Sequence, residues 1–168
     1  MRPKILSIYL IQKKARRELR LNKYFTKKNK LLILNDDSIE FKFIINVFDE
    51  IFNKNLNIKK IKKIYPMPPN YKLINHKLII PWSLDREINE KILCFFENKD
   101  INVKIYEKNI LKLFKTVSED EMKYYLTTKK IRFKNSNNSN NNEFVESLEK
   151  LYPGSKNTLL KSLNNVLH

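Results

Sequence analysis

The sequence predicts an α/β fold, a small parallel sheet covered by helices on both faces. Two observations carry that expectation. Short, wholly apolar runs such as Leu31–Leu34 and "KLIIPW" read as strands buried on both sides. Between them lie longer stretches whose apolar residues recur every three or four positions, as amphipathic helices require. A chain of 168 residues with 42% hydrophobic content is long enough and apolar enough for one real core.

Taken in order, Ile5, Ile8, Tyr9, Ile11 and Ala15 recur at helical spacing, with Lys13, Lys14, Arg16, Arg17 and Arg20 mostly on the other faces. That pattern predicts a first helix of about 15 residues. The same stretch holds no acid before Glu18 and also fits an organelle presequence, a competing reading. After strand Leu31–Leu34, Asp36, Asp37 and Ser38 offer caps to a helix carrying Ile39, Phe43, Ile44, Val47, Phe48 and Ile51. The following "KNLNIKKIKKIYPMPPNYKLINHK" is basic and broken by Pro66, Pro68 and Pro69, and it reads as a loop. "KLIIPW" is a second strand, and His76 starts it. "LDREINEKILCFFEN" is a helix with Ile88, Ile92, Leu93 and Phe96 turned inward, and "INVKIYE" is a third strand. Ser118 and Glu121 form a capping box for the next helix. Residues 135–142, "NSNNSNNN", are a low-complexity linker between an α/β unit at 1–134 and a helix-turn-helix at 143–168. Within that last unit Pro153-Gly154 marks the turn, and Gly154 is the one glycine of the chain.

Composition narrows the function. Lys and Arg total 34 against 18 acids, a net charge of +16, which is most useful beside a polyanion. RNA or another nucleic acid is the favoured partner, with an anionic membrane surface behind it, and heavy Lys, Asn and Ile usage also fits an AT-rich coding bias. No apolar run approaches the ~20 residues of a membrane span. The single cysteine, Cys94, excludes an internal disulfide or a multi-cysteine metal site and reads as a core thiol. One glycine excludes a glycine-rich phosphate loop. His76 and His168 read as incidental surface histidines.

The candidates for chemistry are Asp36 and Asp37, just past the carboxyl end of a strand, where open α/β sheets bind ligands. Paired carboxylates there hold Mg²⁺ or orient a hydroxyl, or else simply cap the helix. The basic runs "KKARRELRLNKYFTKKNK" and "KNLNIKKIKKIYPMPPNYK" interleave cations with Tyr24, Phe25, Tyr65 and Tyr71, a mixture that suits phosphate contacts with base stacking. Arg16, Arg17, Lys59, Lys60, Lys62 and Lys63 are the residues expected to touch phosphate. A solvated helix face is the alternative.

Four blocks, "QKKARRE", "LILNDDSIE", "LDREI" and Phe144–Ser162, follow in order the motifs of the tRNA 2-thiolation proteins, the PP-loop ATP pyrophosphatase family of archaea and the eukaryotic cytoplasm. The last block, with Pro153, Gly154, Ser155 and Lys156, resembles the family's "P-G-S-K" helix-turn-helix most specifically. The blocks cover roughly half of the chain. The resemblance implies a partial Rossmann-like (HUP-type) sheet with a C-terminal helical hairpin, tRNA as partner and a cytoplasmic location. The departures are equally specific. The family's ATP loop (serine-glycine-glycine-x-aspartate-serine) and its terminal zinc module have no counterpart. "MRPK" stands where cysteines are expected, and Lys108 stands for the cysteine of "C-P-Y". The resemblance therefore implies a truncated, degenerate member. Such a chain, with no cofactor and no catalysis of its own, would be an accessory tRNA-binding subunit. Half of a split enzyme joined to a protein partner that supplies the ATP loop, or a general basic RNA- or ribosome-binding protein, are the alternatives.

Overall fold

The computed structural model describes residues 7–22, 30–52, 58–61, 76–96, 110–133 and 143–166. Among them are six helices and four strands: α1 (Ile8–Asn22), β1 (Lys30–Leu34), α2 (Ile39–Phe52), β2 (Ile58–Ile61), β3 (His76–Pro81), α3 (Leu84–Phe96), β4 (Ile110–Leu113), α4 (Glu119–Thr128), α5 (Glu143–Leu151) and α6 (Ser155–Val166). All strand pairs are parallel, in the order β2-β1-β3-β4. The sheet therefore grows from β1 outward to β2 and from β3 outward to β4, in opposite directions. Right-handed crossovers then place α2 and α3 on opposite faces and leave a switch point at the carboxyl ends of β1 and β3. This is the α/β, Rossmann-like arrangement with a C-terminal helical hairpin that the sequence predicts.

Strand alternation sorts the core. Leu31, Ile33, Ile79 and Leu113 face α1, α2 and α4 and form one cluster with Ile11, Phe43, Phe48, Met122 and Tyr125. Phe43 packs edge-on to Phe114 (5.3 Å) and to Tyr125 (5.0 Å), and such pairs add ~0.5–1.5 kcal/mol each to their burial. On the other face Leu32 and Leu78 are buried, and Lys112 reaches α3, its Nζ 2.7 Å from Glu90 and 3.9 Å from the Trp82 ring centre. A second cluster, Leu84, Ile88 and Val145 with Ile92, Leu159, Leu160 and Leu163, seats the α5–α6 hairpin on α3.

Several expectations change. The segment read as a loop contains β2, because Ile58 packs on the main cluster and its backbone pairs with β1. Four residues with two lysines at a sheet edge leave too weak a pattern to read. A strand at Ile110–Leu113 was not anticipated, since Lys112 breaks its apolar run. The strand expected at "INVKIYE" lies outside the described residues, as do Ile5, Lys108, the 135–142 linker and His168. Leu93 and Phe96 are 58% and 79% exposed, because the stripe that packs is Leu84, Ile88 and Ile92. Cys94 is only half-buried, on the flank of that stripe. Tyr9 is exposed for the same reason, since α1 buries Ile11 and Ala15.

Local signals behave as their chemistry requires. Ser118 Oγ accepts from the Glu121 N–H while the Glu121 carboxylate accepts from the Ser118 N–H at 3.0 Å, a closed capping box. Gly154 has φ 98°, left-handed backbone that any Cβ would oppose. Ser118→Ala should cost about 1 kcal/mol and Gly154→Ala a similar amount. Each should lower Tm by roughly 2–4 °C in a calorimetric scan. An unchanged Tm for Gly154→Ala would show that the turn is not held in this conformation in solution.

Candidate functional site

The carboxyl edge of the sheet carries the charge. Past β1, Asn35 Oδ1 accepts from the Asp37 N–H at 3.2 Å and Asp36 Oδ1 accepts from the Ser38 N–H at 3.1 Å. Ser38 Oγ accepts from the Phe41 N–H and so caps α2. Asp37 takes φ 54°, tolerable for an aspartate, and lines a cavity of about 280 Å³ with Lys42, Arg132 and Phe133. Asp36 instead lies 3.9 Å from Arg86, whose Nε is 2.7 Å from Glu40. The neighbouring carboxylates are thus engaged by different groups. Arg86, on α3, spans the switch point to reach α2, and it was not singled out in the sequence because its partner lies 46 residues upstream (86 − 40).

Two buried carboxylates organise the loops behind this edge. Glu18 of α1 accepts from the Phe114 N–H at 2.6 Å, from the Lys115 and Thr116 N–H groups at 3.3 Å each, and from the Thr116 hydroxyl at 2.9 Å. Phe114 is held at φ 69°, a strained left-handed conformation for a bulky residue. Asp85, in the first turn of α3, accepts from the Glu119 N–H at the start of α4 (2.6 Å) and pairs with Lys156 at the start of α6. Lys156 also reaches Glu146 at 2.6 Å. Burial alone would lower the Lys156 pKa, but Asp85 and Glu146 more than reverse this and raise it. Glu119 is raised, first by burial and then by repulsion from Glu40 and Asp85. Among the described residues no three His, Cys, Asp or Glu side chains are grouped to hold a metal ion.

The cations expected to meet phosphate are placed as follows. Arg16 and Arg17 are both exposed on α1, about 100° apart by helix geometry. Arg17 lines a cavity of about 600 Å³ bounded by α1, the start of α4 and the Pro153–Gly154 turn. Arg16 lies on the side of Tyr125, whose own ionisation burial pushes up, followed by the Glu50 contact. Lys59 and Lys60 are exposed on edge strand β2 and, being consecutive in a strand, project to opposite faces. Lys62 and Lys63 lie outside the described residues.

The turn itself is held from within. Glu149 accepts from the Gly154 N–H (2.7 Å), the Ser155 hydroxyl (3.0 Å) and the Lys156 N–H (2.9 Å). Burial would raise its pKa, but these donors win and hold the carboxyl below its ordinary 4.5. A depressed carboxylate contributes stability that is complete above pH 4.5 and is lost as pH falls through the folded-state value. Glu149→Gln should therefore destabilise the protein at pH 7 and do so less in strong acid, which paired melts at the two pH values will check. Lys156→Met, which leaves Asp85 buried without a counter-charge, should cost about 3–5 kcal/mol in urea unfolding. Adding Asp85→Leu should recover part of that loss. Equal costs for the single and double variants would rule out the pair as a latch that holds the hairpin on α3.

Among the described residues no helix is long and apolar enough to cross a membrane. No protein-family model matches the chain, and no curated protein matches it. Among solved structures the chain is similar to the U34-tRNA thiolase NcsA from Methanococcus maripaludis, described with its 4Fe-4S cluster. The TM-score is 0.68 at 13% identity, over 95% of this chain and 79% of that one. At that identity the likeness establishes the fold, and the fold is one that a tRNA thiolase also has.

Proposed function

We propose that this chain is a degenerate relative of the tRNA thiolases that binds tRNA in the cytoplasm and serves thiolation as a non-catalytic, accessory subunit. The observation that carries the reading is the shared fold with U34-tRNA thiolase NcsA over nearly the whole chain. The "P-G-S-K" hairpin, seated on α3 through Lys156, and the +16 charge support it.

The same residues argue against independent catalysis. The neighbour's 4Fe-4S cluster does not fit this chain, because such clusters are held by several cysteine thiolates and Cys94 stands alone on α3. A nucleotide phosphate does not fit the β1–α2 junction either. A phosphate loop uses glycine and free backbone N–H groups, whereas Asn35-Asp36-Asp37-Ser38 has no glycine, puts two carboxylates at the helix start and engages the Asp37, Ser38 and Phe41 N–H groups with its own side chains. On this reading ATP chemistry is supplied from outside the described residues, and we propose a partner protein as its source.

Quantification of 2-thiouridine derivatives in bulk tRNA by mass spectrometry, with and without the gene, tests the reading. Thiolation should fall on deletion, and unchanged thiolation would overturn the accessory role. In a binding assay, tRNA affinity should fall with salt with a slope of about −0.7 to −0.9 per phosphate contacted. Equal affinity for tRNA and for unrelated RNA of the same length would favour a general RNA-binding protein. If Asp36→Ala and Asp37→Ala abolish thiolation without dissociating the complex, the chain is half of a split enzyme instead.

A further inference from the structure

The cavity of about 600 Å³ has a construction that neither the capping logic nor the latch explains. Its apolar wall comes from Leu10 of α1, Leu84 of α3 and Pro153 of the hairpin turn, and its cations are Lys13, Lys14, Arg17 and Lys156. Two of the three acids on its surface, Glu121 and Glu149, are committed elsewhere. Glu121 pairs with Lys14 (2.5 Å) and closes the capping box, Glu149 is consumed by the turn, and Asp120 is 3.9 Å from Lys123. Lys156 is spent on Asp85 and Glu146. Among the described residues neither Lys13 nor Arg17 has a carboxylate within ion-pair distance. At the helix starts on the rim the Ser118, Gly154 and Lys156 N–H groups are already engaged by Glu121 and Glu149, so Lys13 and Arg17 supply the side-chain attraction for an anion. The volume is in the range of about 300–1,000 Å³ typical of small-ligand sites.

A second concavity, about 520 Å³, adjoins the first and shares Pro153 and Gly154 with it. Its lining adds Tyr152, 68% exposed, and the hydroxyl residues Ser155, Thr158 and Ser162. An exposed aromatic ring beside an apolar hole with cations at its mouth is the chemistry of single-stranded nucleic acid recognition, where bases stack and phosphates pair.

Resting on the RNA-binding reading above, we propose that the α1–hairpin cavity takes one nucleotide extruded from an RNA chain. Its base lies against Leu10, Leu84 and Pro153, and its phosphate meets Arg17 and Lys13. The neighbouring base stacks on Tyr152 across the Pro153–Gly154 turn. Two adjoining subsites favour a chain over a free nucleotide.

The probe is a short single-stranded oligouridylate carrying one 2-aminopurine, with uridine 5′-monophosphate as the free-nucleotide arm. Extrusion of the fluorescent base should raise its emission on binding. Leu10→Trp, at a position 50% exposed where a larger side chain can be accommodated, fills the hole. It should abolish the rise and leave the salt slope unchanged, and Leu10→Phe should weaken the rise. Arg17→Ala should reduce the salt slope by about one phosphate. Tyr152→Ala should weaken binding about tenfold. Binding without an emission change, or an emission change that survives Leu10→Trp, overturns the subsite. If the oligonucleotide binds no tighter than uridine 5′-monophosphate, the chained form is overturned. Loss of thiolation on gene deletion with a silent 2-aminopurine removes the subsite alone. Unchanged thiolation with a responsive probe removes the accessory role alone.

Discussion

The charge on Asp85 is the constraint on which the carboxyl edge depends. A carboxylate so deeply buried loses several kcal/mol of hydration, and it persists because Lys156 and the Glu119 N–H replace the lost water. In doing so it joins the starts of three helices, α3, α4 and α6, at one point. Glu18 performs the matching task from α1, gathering three amides and a hydroxyl of the β4–α4 loop. The walls of the large cavity are the elements these two carboxylates tie together, so its shape follows from electrostatics rather than from the apolar core beneath it.

That arrangement also separates two features that α/β proteins often combine. In open sheets the switch point is the usual ligand crevice. Here Arg86 crosses it to Glu40, and the pair is on its inner side sealed from water, with the Glu40 side chain 3% exposed. The accessible, cationic concavity lies instead against α1 and the hairpin turn. A reading of function from fold alone would look at Asp36 and Asp37 first, and the geometry moves attention to Arg17, Lys13 and Tyr152.

The legible parts of the sequence were those whose cause is local. Ser118 with Glu121 and Pro153 with Gly154 each state their structure within a few residues, and α1 and α2 declare themselves by period. The strands β2 and β4 were not legible because each is four residues long and carries lysine, so neither alternation nor an apolar run survives. The inward face of α3 was misjudged because its partner is the hairpin, and a period alone does not say which of two apolar stripes will be covered. At the site, Arg17 was selected for its charge, and its position at the cavity could not be foreseen. Arg86 and Asp85 look like ordinary surface residues until residues distant in the chain are brought beside them, and Lys156 stood out only as part of the "P-G-S-K" block, not for its buried pairing.

The Asp85–Lys156 pair also has a history in time. Its members are 71 residues apart, and nearly half of the chain separates the appearance of one from the appearance of the other. During synthesis from the N-terminus, β1 and β3 can pair and α3 can dock while Asp85 still needs water. The first turn of α3 must then stay open to solvent until the hairpin arrives. The Pro153–Gly154 hairpin is thus the element whose arrival allows the edge built before it to dry and set.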